Sequence, residues 1–312
     1  MDAILKKRQV LSPLIGMIAA VLAISTGSLF IRLMQAEVSP LVIALYRLGI
    51  SSLILLPFAL RQRDEIASLD RPQWLLLLLG SFGLAMHFVT WISSLRYTSV
   101  LSSVVFVNTS PLWVAILSPI LLKEVISRRT KTGLGLALLG TVLVGISGTV
   151  RFTNGQVVWF GFQNNAGSQP LLGCFLAMLG AWSATGFLLV GRRLRSSLSL
   201  MPYTFLLYGM AAVIMLGIVL VTRQPMSGFS NLTYVWLVCI ALIPQLVGHS
   251  MANWALKYAS AAYVSVVLLG EPVGAALLAL VFLGEVPGVV EGIGAAVILA
   301  GIYVVTRAEA GG

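Results

Sequence analysis

Long apolar runs separated by short polar links dominate the chain. Ten can be marked, near residues 10–31, 39–60, 73–95, 98–122, 132–150, 171–191, 199–222, 232–256, 258–284 and 287–306. A membrane-spanning helix needs about 20 predominantly apolar residues, and each run has or approaches that length. The links carry Arg, Lys, Ser, Pro or Asn. One is longer than the rest: residues 151–170, RFTNGQVVWFGFQNNAGSQP, whose VVWFGF patch is expected at the membrane interface, where amphipathic rings sit well. The pattern predicts an all-α membrane protein with ten transmembrane helices.

The runs repeat. Residues 97–124 and 258–285 align without a gap at an offset of 161, placing Tyr97 on Tyr258, Ser99 on Ser260, Pro111 on Pro272 and Glu124 on Glu285. Ser110 falls where Glu271 stands. The same offset puts Gly133, Leu138, Gly140 and Val144 on Gly294, Leu299, Gly301 and Val305, and an offset of 157 puts 13–16 on 170–173. The expected organisation is a first five-span repeat at 1–150, an external linker at 151–170 and a second five-span repeat at 171–312. Five is odd, so the second repeat would enter from the opposite side. Inverted repeats of this kind typify secondary transporters, with binding near the midplane.

Composition adds to this reading. The chain is 58% hydrophobic and 10% charged, with mean hydropathy +0.98, whereas soluble domains carry about 25% charged residues. A net charge of +10 could point to nucleic acid. The basic residues instead sit between the runs, as the positive-inside rule requires. With the N-terminus in the cytoplasm, fifteen Lys and Arg fall on the inner side and four (Arg32, Arg96, Arg151, Arg223) on the outer, leaving Arg47 inside a span. Both termini are therefore expected in the cytoplasm. Lys6-Lys7-Arg8 before the first run resembles a signal peptide. The run is longer than an h-region and lacks a convincing cleavage site, so a retained span is expected. Cys174 and Cys239 lie in apolar runs, and neither a disulfide, a metal site nor a cofactor is indicated.

The five-span unit, twice present, with a Pro inside its fourth span and a Glu closing it (Pro111…Glu124, Pro272…Glu285), resembles the drug/metabolite transporter superfamily and, within it, the EamA group. Leu269-Gly270-Glu271-Pro272 with Leu283-Gly284-Glu285 is the most specific part. The resemblance implies a basket of ten helices around a central cavity, exporting amino acids, related metabolites or drugs. The first half departs from the pattern: Lys123 stands in place of a small residue, and Ser110 lacks the carboxylate.

Candidate chemistry lies in the polar residues within spans. Glu271 costs about 2.5–3.5 kcal/mol at the bilayer centre on insertion scales, so it must face a cavity or a partner. It is either a structural carboxylate at the Pro272 kink, or a proton site or counter-ion for a substrate amine. Arg47 could snorkel outward, bind a substrate carboxylate with its forked guanidinium, or pair with Glu271. Gln245, His249 and Asn253 recur every four residues and so share one expected helix face. That face is either interhelical hydrogen bonding or a polar cavity wall, with His249 able to titrate near neutrality. His87 and Trp91 form a thinner version in the third span. Trp91, Trp182 and Trp254 are candidates to line a cavity for flat or cationic groups, packing or interface anchoring being the alternative. Asn108, before Ser110-Pro111, is a further cavity candidate. Small residues at four-residue spacing (133/137/141/145, 173/177/181, 292/296/300) are expected to let helices approach closely.

A membrane-embedded hydrolase is the rival class, since Gly145-Ile146-Ser147-Gly148 matches a short serine-protease string. It lies at the outer end of the fifth span, and neither an HExxH nor a Walker loop accompanies it. A structural membrane protein would not need so many inward polar groups. The expectation is a non-enzymatic secondary transporter of small organic solutes in the lipid bilayer of a bacterial inner membrane, exporting by alternating access. Coupling to protons at Glu271 or His249 and facilitated diffusion both fit, and oligomeric state stays open.

Overall fold

The computed structural model describes residues 12–34, 36–94, 97–98, 100–147, 150–153, 156–159, 169–284 and 288–310. Among them are ten spans long and apolar enough to cross a membrane. The first three are α1 (Pro13–Met34), α2 (Pro40–Leu60) and, after the short α3 (Arg63–Ala67), α4 (Arg71–Ser94). The fourth is broken into α5 (Val100–Val107) and α6 (Ser110–Leu121), and the fifth is α7 (Arg128–Ser147). The linker contributes strands β1 (Val150–Thr153) and β2 (Gln156–Trp159), paired antiparallel with Val150 opposite Trp159. That hairpin was not expected from a polar linker; the rest of the VVWFGF patch lies outside the described residues. The second half continues with α8 (Pro170–Arg195), α9 (Leu200–Val221) and an eighth span made of α10 (Asn231–Ile240), a π-helical stretch Ala241–His249 and α11 (Ser250–Ala255). It ends with a broken ninth span, α12 (Ala261–Leu268) and α13 (Glu271–Leu283), and α14 (Val289–Ala310).

Local chemistry sets many of these boundaries. Pro13, Pro40 and Pro170 each open a helix, where the missing N–H would have no partner in any case. Ser230 and Ser260 cap α10 and α12, accepting from the N–H of Thr233 and Tyr263. Glu309 accepts from both the N–H and the hydroxyl of Ser260, at 2.6 and 2.8 Å, which ties α14 to the start of α12. Glu37 does the same to Ser230, at 2.8 and 3.0 Å, and those hydrogen bonds hold its carboxyl below the usual carboxylate range.

The sequence repeat reappears as a repeat of helix boundaries. Adding 161 to the ends of α5 gives the ends of α12, and Ser110, which opens α6, lands on Glu271, which opens α13. Lys123 has φ 58° and Gly284, its counterpart at the same offset, φ 67°. That explains why a small residue belongs there. Glycine adopts this left-handed backbone freely, while a side chain costs roughly 1–2 kcal/mol.

Spans pair between the two halves: α7 with α14, α4 with α8, α2 with α9, and α1 with the eighth span and with α13, as α8 packs on α5 and α6. In a bilayer no hydrophobic drive separates helix from lipid, so close backbone approach matters most. It is tightest between α7 and α14, where a Cβ on Gly301 would lie 2.6 Å from the Ala137 nitrogen. The stripe on α14 runs through Gly294, Ile298, Gly301 and Val305, all buried. It does not use Gly292, around which nothing lies within 4 Å. Outward-facing Leu171, Val281, Val213 and Ile120 are largely exposed, as lipid-facing side chains should be.

Candidate functional site

A cavity of about 310 Å³ opens where the two broken helices meet the rest of the bundle. Asn108 and Ser110 reach it from the break in the fourth span, and Leu269, Glu271 and Pro272 from the break in the ninth. Arg47 enters from α2, His87, Phe88 and Trp91 from α4, Phe187 from α8 and His249 from the π-helical stretch. The breaks are anchored alike. Ser25 donates to the Glu271 carbonyl at 3.0 Å and to Val21, four residues back on α1. Thr185 donates to the Ser110 carbonyl at 3.2 Å and to Ala181, four residues back on α8. A helix interrupted at membrane depth needs such partners, and tolerates the interruption only beside a cavity or protein.

Arg47 is held firmly. Its Nε donates to Gln245 Oε1 at 2.5 Å, and its guanidinium carbon lies 5.1 Å from the centre of the Phe88 ring. The Arg47 carbonyl accepts from Ser51, whose hydroxyl also reaches the Ala241 carbonyl at 2.9 Å. With only 7% of its surface exposed, Arg47 does not snorkel to the interface. Nor is it bridged to Glu271: the ion pairs among the described residues are Arg63–Asp64 and Arg192–Glu124. Arg47 and Glu271 share the cavity and each other's field without contact.

The four-residue polar stripe on the eighth span is divided. Pro244 has no N–H to offer Ile240, and Ala241–His249 takes i→i+5 pairing instead. His249 faces the cavity, with Gly248 beside it packed against α1, where an added Cβ would lie 2.6 Å from Ile24 Cγ1. Gln245 is fully buried behind the cavity on Arg47. Asn253 donates to the Tyr208 hydroxyl at 3.2 Å, and Ser250 meets the same hydroxyl at 3.2 Å, so this residue belongs to the packing of α9 on α11.

His87 meets the Gly180 carbonyl through Nδ1 at 3.0 Å and stacks on Trp91, its ring 5.9 Å away at 15°. Trp182 is elsewhere. It is 42% exposed on the outside of α8, edge-on to Trp113 at 5.5 Å, because it sits one residue past the inward Ala181. Trp254 packs on Tyr258 and under Gly16, also away from the cavity. Sequence reasoning missed Phe88 and Phe187, which look like ordinary span residues. It also left Glu124 as a motif without a task. Glu124 pairs with Arg192 at 2.6 Å and accepts from the Ala261 N–H at 3.2 Å, joining the end of the fourth span to α8 and α12. Its repeat partner Glu285 lies outside the described residues. Among the described residues no group of three or more His, Cys, Asp or Glu could hold a metal ion.

The profile of the EamA-like transporter family matches residues 11–146 and again residues 171–307. The chain belongs to the EamA-like transporter family. Its relatives include an uncharacterized transporter of Archaeoglobus fulgidus, 23% identical over 301 residues that make up 94% of this chain and 97% of that one. The uncharacterized transporter YdfC of Bacillus subtilis (strain 168) is 23% identical over 262 residues, 83% of this chain and 79% of its own. A solved crystal structure of 18% sequence identity superposes with a TM-score of 0.79, covering 96% of this chain and 97% of the other. The ten-helix EamA-type fold is thus shared despite low identity. The family and both relatives point to an integral membrane transporter rather than an enzyme.

Proposed function

We propose that the chain is a secondary transporter that exports small organic solutes by alternating access, with the cavity between its two five-span repeats as the solute site. The observation that carries this reading is the lining. Arg47 Nη2 is buried without a hydrogen-bond partner, and the carboxyl of Glu271 and the ring of His249 bond to no described residue. Charges placed only to hold helices together would be paired, because an unpaired one at this depth is costly. Groups left free at a cavity are available to a ligand. Glu271 is assigned to a proton or to a cationic group of the solute.

The helix pairing supports a two-fold relation between the halves, and five spans in each half would make the second inverted. Exchanging each span with the one five places on turns α1 against the eighth span into the packing of α8 on α4, and leaves α7–α14 and α2–α9 as they are. Rocking of one half on the other moves the cavity from face to face. The Lys and Arg count supports a cytoplasmic position for both termini. Reporter fusions within residues 148–169 will therefore report the outer side, and fusions within residues 192–197 the inner. If both report the same side, the inverted arrangement is wrong.

A further inference from the structure

We propose that the transported solute carries a carboxylate, docked on the free edge of Arg47 with the Trp91 indole N–H beside it. This rests on the cavity being the solute site. Gln245 takes the Nε of Arg47, and no described residue accepts from either Nη. The Trp91 Nε1 is likewise buried without a partner. Both residues line the cavity, and both unpartnered groups can only donate. A buried donor without an acceptor is costly, more so when it is charged. A ligand that removes this cost must bring acceptor oxygens.

The geometry favours one kind of acceptor. The Gln245 bond and the Phe88 face fix the guanidinium plane, so it presents a rigid two-pronged edge rather than a diffuse charge. A planar carboxylate matches such a fork with two parallel hydrogen bonds. A phosphate group would bring a charge of about −1.5 to −2, and the lining offers it one arginine together with the Glu271 carboxyl. A monoanion is the better match. Gln245 is then a positioning residue: it touches no solute, but its hold on Nε orients the guanidinium of the cavity-lining Arg47. The aromatic lining from Phe88, Trp91 and Phe187 provides apolar surface for the remainder of the solute.

The test uses the purified full chain in lipid nanodiscs and a panel of matched probes. Each scaffold, from short aliphatic to single-ring aromatic, is supplied as the carboxylic acid, its primary amide, its phosphate ester and its amine, with and without an α-amino group. Binding is read by intrinsic tryptophan fluorescence and by ligand-dependent melting. At least one acid should bind, and its amide and phosphate ester should bind at least about tenfold more weakly, the loss expected from one charge-assisted contact. Arg47→Lys keeps the charge but loses the fork, and should weaken the acid about tenfold without changing the amide. Trp91→Phe keeps the ring, provides a second variant should Arg47→Lys fold poorly, and should weaken the acid but not the amide. Amide, phosphate or amine forms binding as well as the acid would overturn the proposal and leave the transporter reading standing. So would acid binding untouched by both substitutions. If no form binds, the carboxylate proposal fails; the transporter reading is then judged separately by access to the cavity from the two membrane faces.

Discussion

Glu271→Gln will cut solute movement by roughly ten- to a hundredfold while leaving the protein as stable as before. The carboxyl faces the cavity, forms no ion pair with Arg47, and bonds to no described side chain. Replacing one member of a buried ion pair typically costs 3–5 kcal/mol, and that penalty does not arise here. The anchor of this break is the backbone carbonyl of Glu271, which accepts from Ser25, and a glutamine keeps it. Glutamine also keeps the volume beside Pro272 and an acceptor oxygen. What it removes is the ability to carry a negative charge or a proton. A hydrogen bond to a charged group is worth about 1.5–3 kcal/mol, so transport should fall by roughly ten- to a hundredfold. The comparison pairs transport in proteoliposomes with melting in detergent. Lost melting with lost transport would show a structural carboxylate, and unchanged transport would remove Glu271 from the mechanism.

The largest loss of stability should come from Gly140→Leu. A Cβ at this position would lie 2.6 Å from both the Gly294 oxygen and the Ile298 nitrogen, and the reciprocal Cβ on Gly294 would lie 2.7 Å from the Val144 nitrogen. These are backbone atoms, so no rotamer change makes room and the α7–α14 pair must separate. Overpacking costs about 1–3 kcal/mol, occasionally more, and this site belongs at the upper end. The matched control is Gly135→Leu on the same helix, around which nothing lies within 4 Å. The first should lower the melting temperature and the folded yield in detergent; the second should leave both unchanged. Equal behaviour of the two would refute the close contact of α7 and α14.

The ten spans were legible because bilayer thickness imposes a length and a composition on every crossing helix. Gaps in the fourth and ninth spans could be anticipated from Pro111 and Pro272, although each helix restarts one residue before its proline. The presence of Arg47, His87, Trp91, Asn108, His249 and Glu271 around one cavity follows from the rule that polar side chains at depth need company. Their individual partners did not follow. A four-residue spacing makes Gln245, His249 and Asn253 equivalent only on an undisturbed α-helix, and Pro244 disturbs this one. Trp182 faces outward because a single residue step turns a helix by about 100°, a difference that apolar neighbours on both sides conceal. The Arg47–Gln245 bond joins residues 198 apart in sequence, beyond the reach of any spacing rule.

The central claim is that the cavity is a solute site reached alternately from the two membrane faces. Its most direct test is Asn108→Cys in a chain whose own thiols are removed by Cys174→Ala and Cys239→Ala. A membrane-impermeant maleimide is applied to right-side-out and, separately, to inside-out vesicles. The account predicts modification from both faces. A thiol that reacts only after denaturation, from neither face of the folded protein, would make the cavity a sealed packing void and contradict the account.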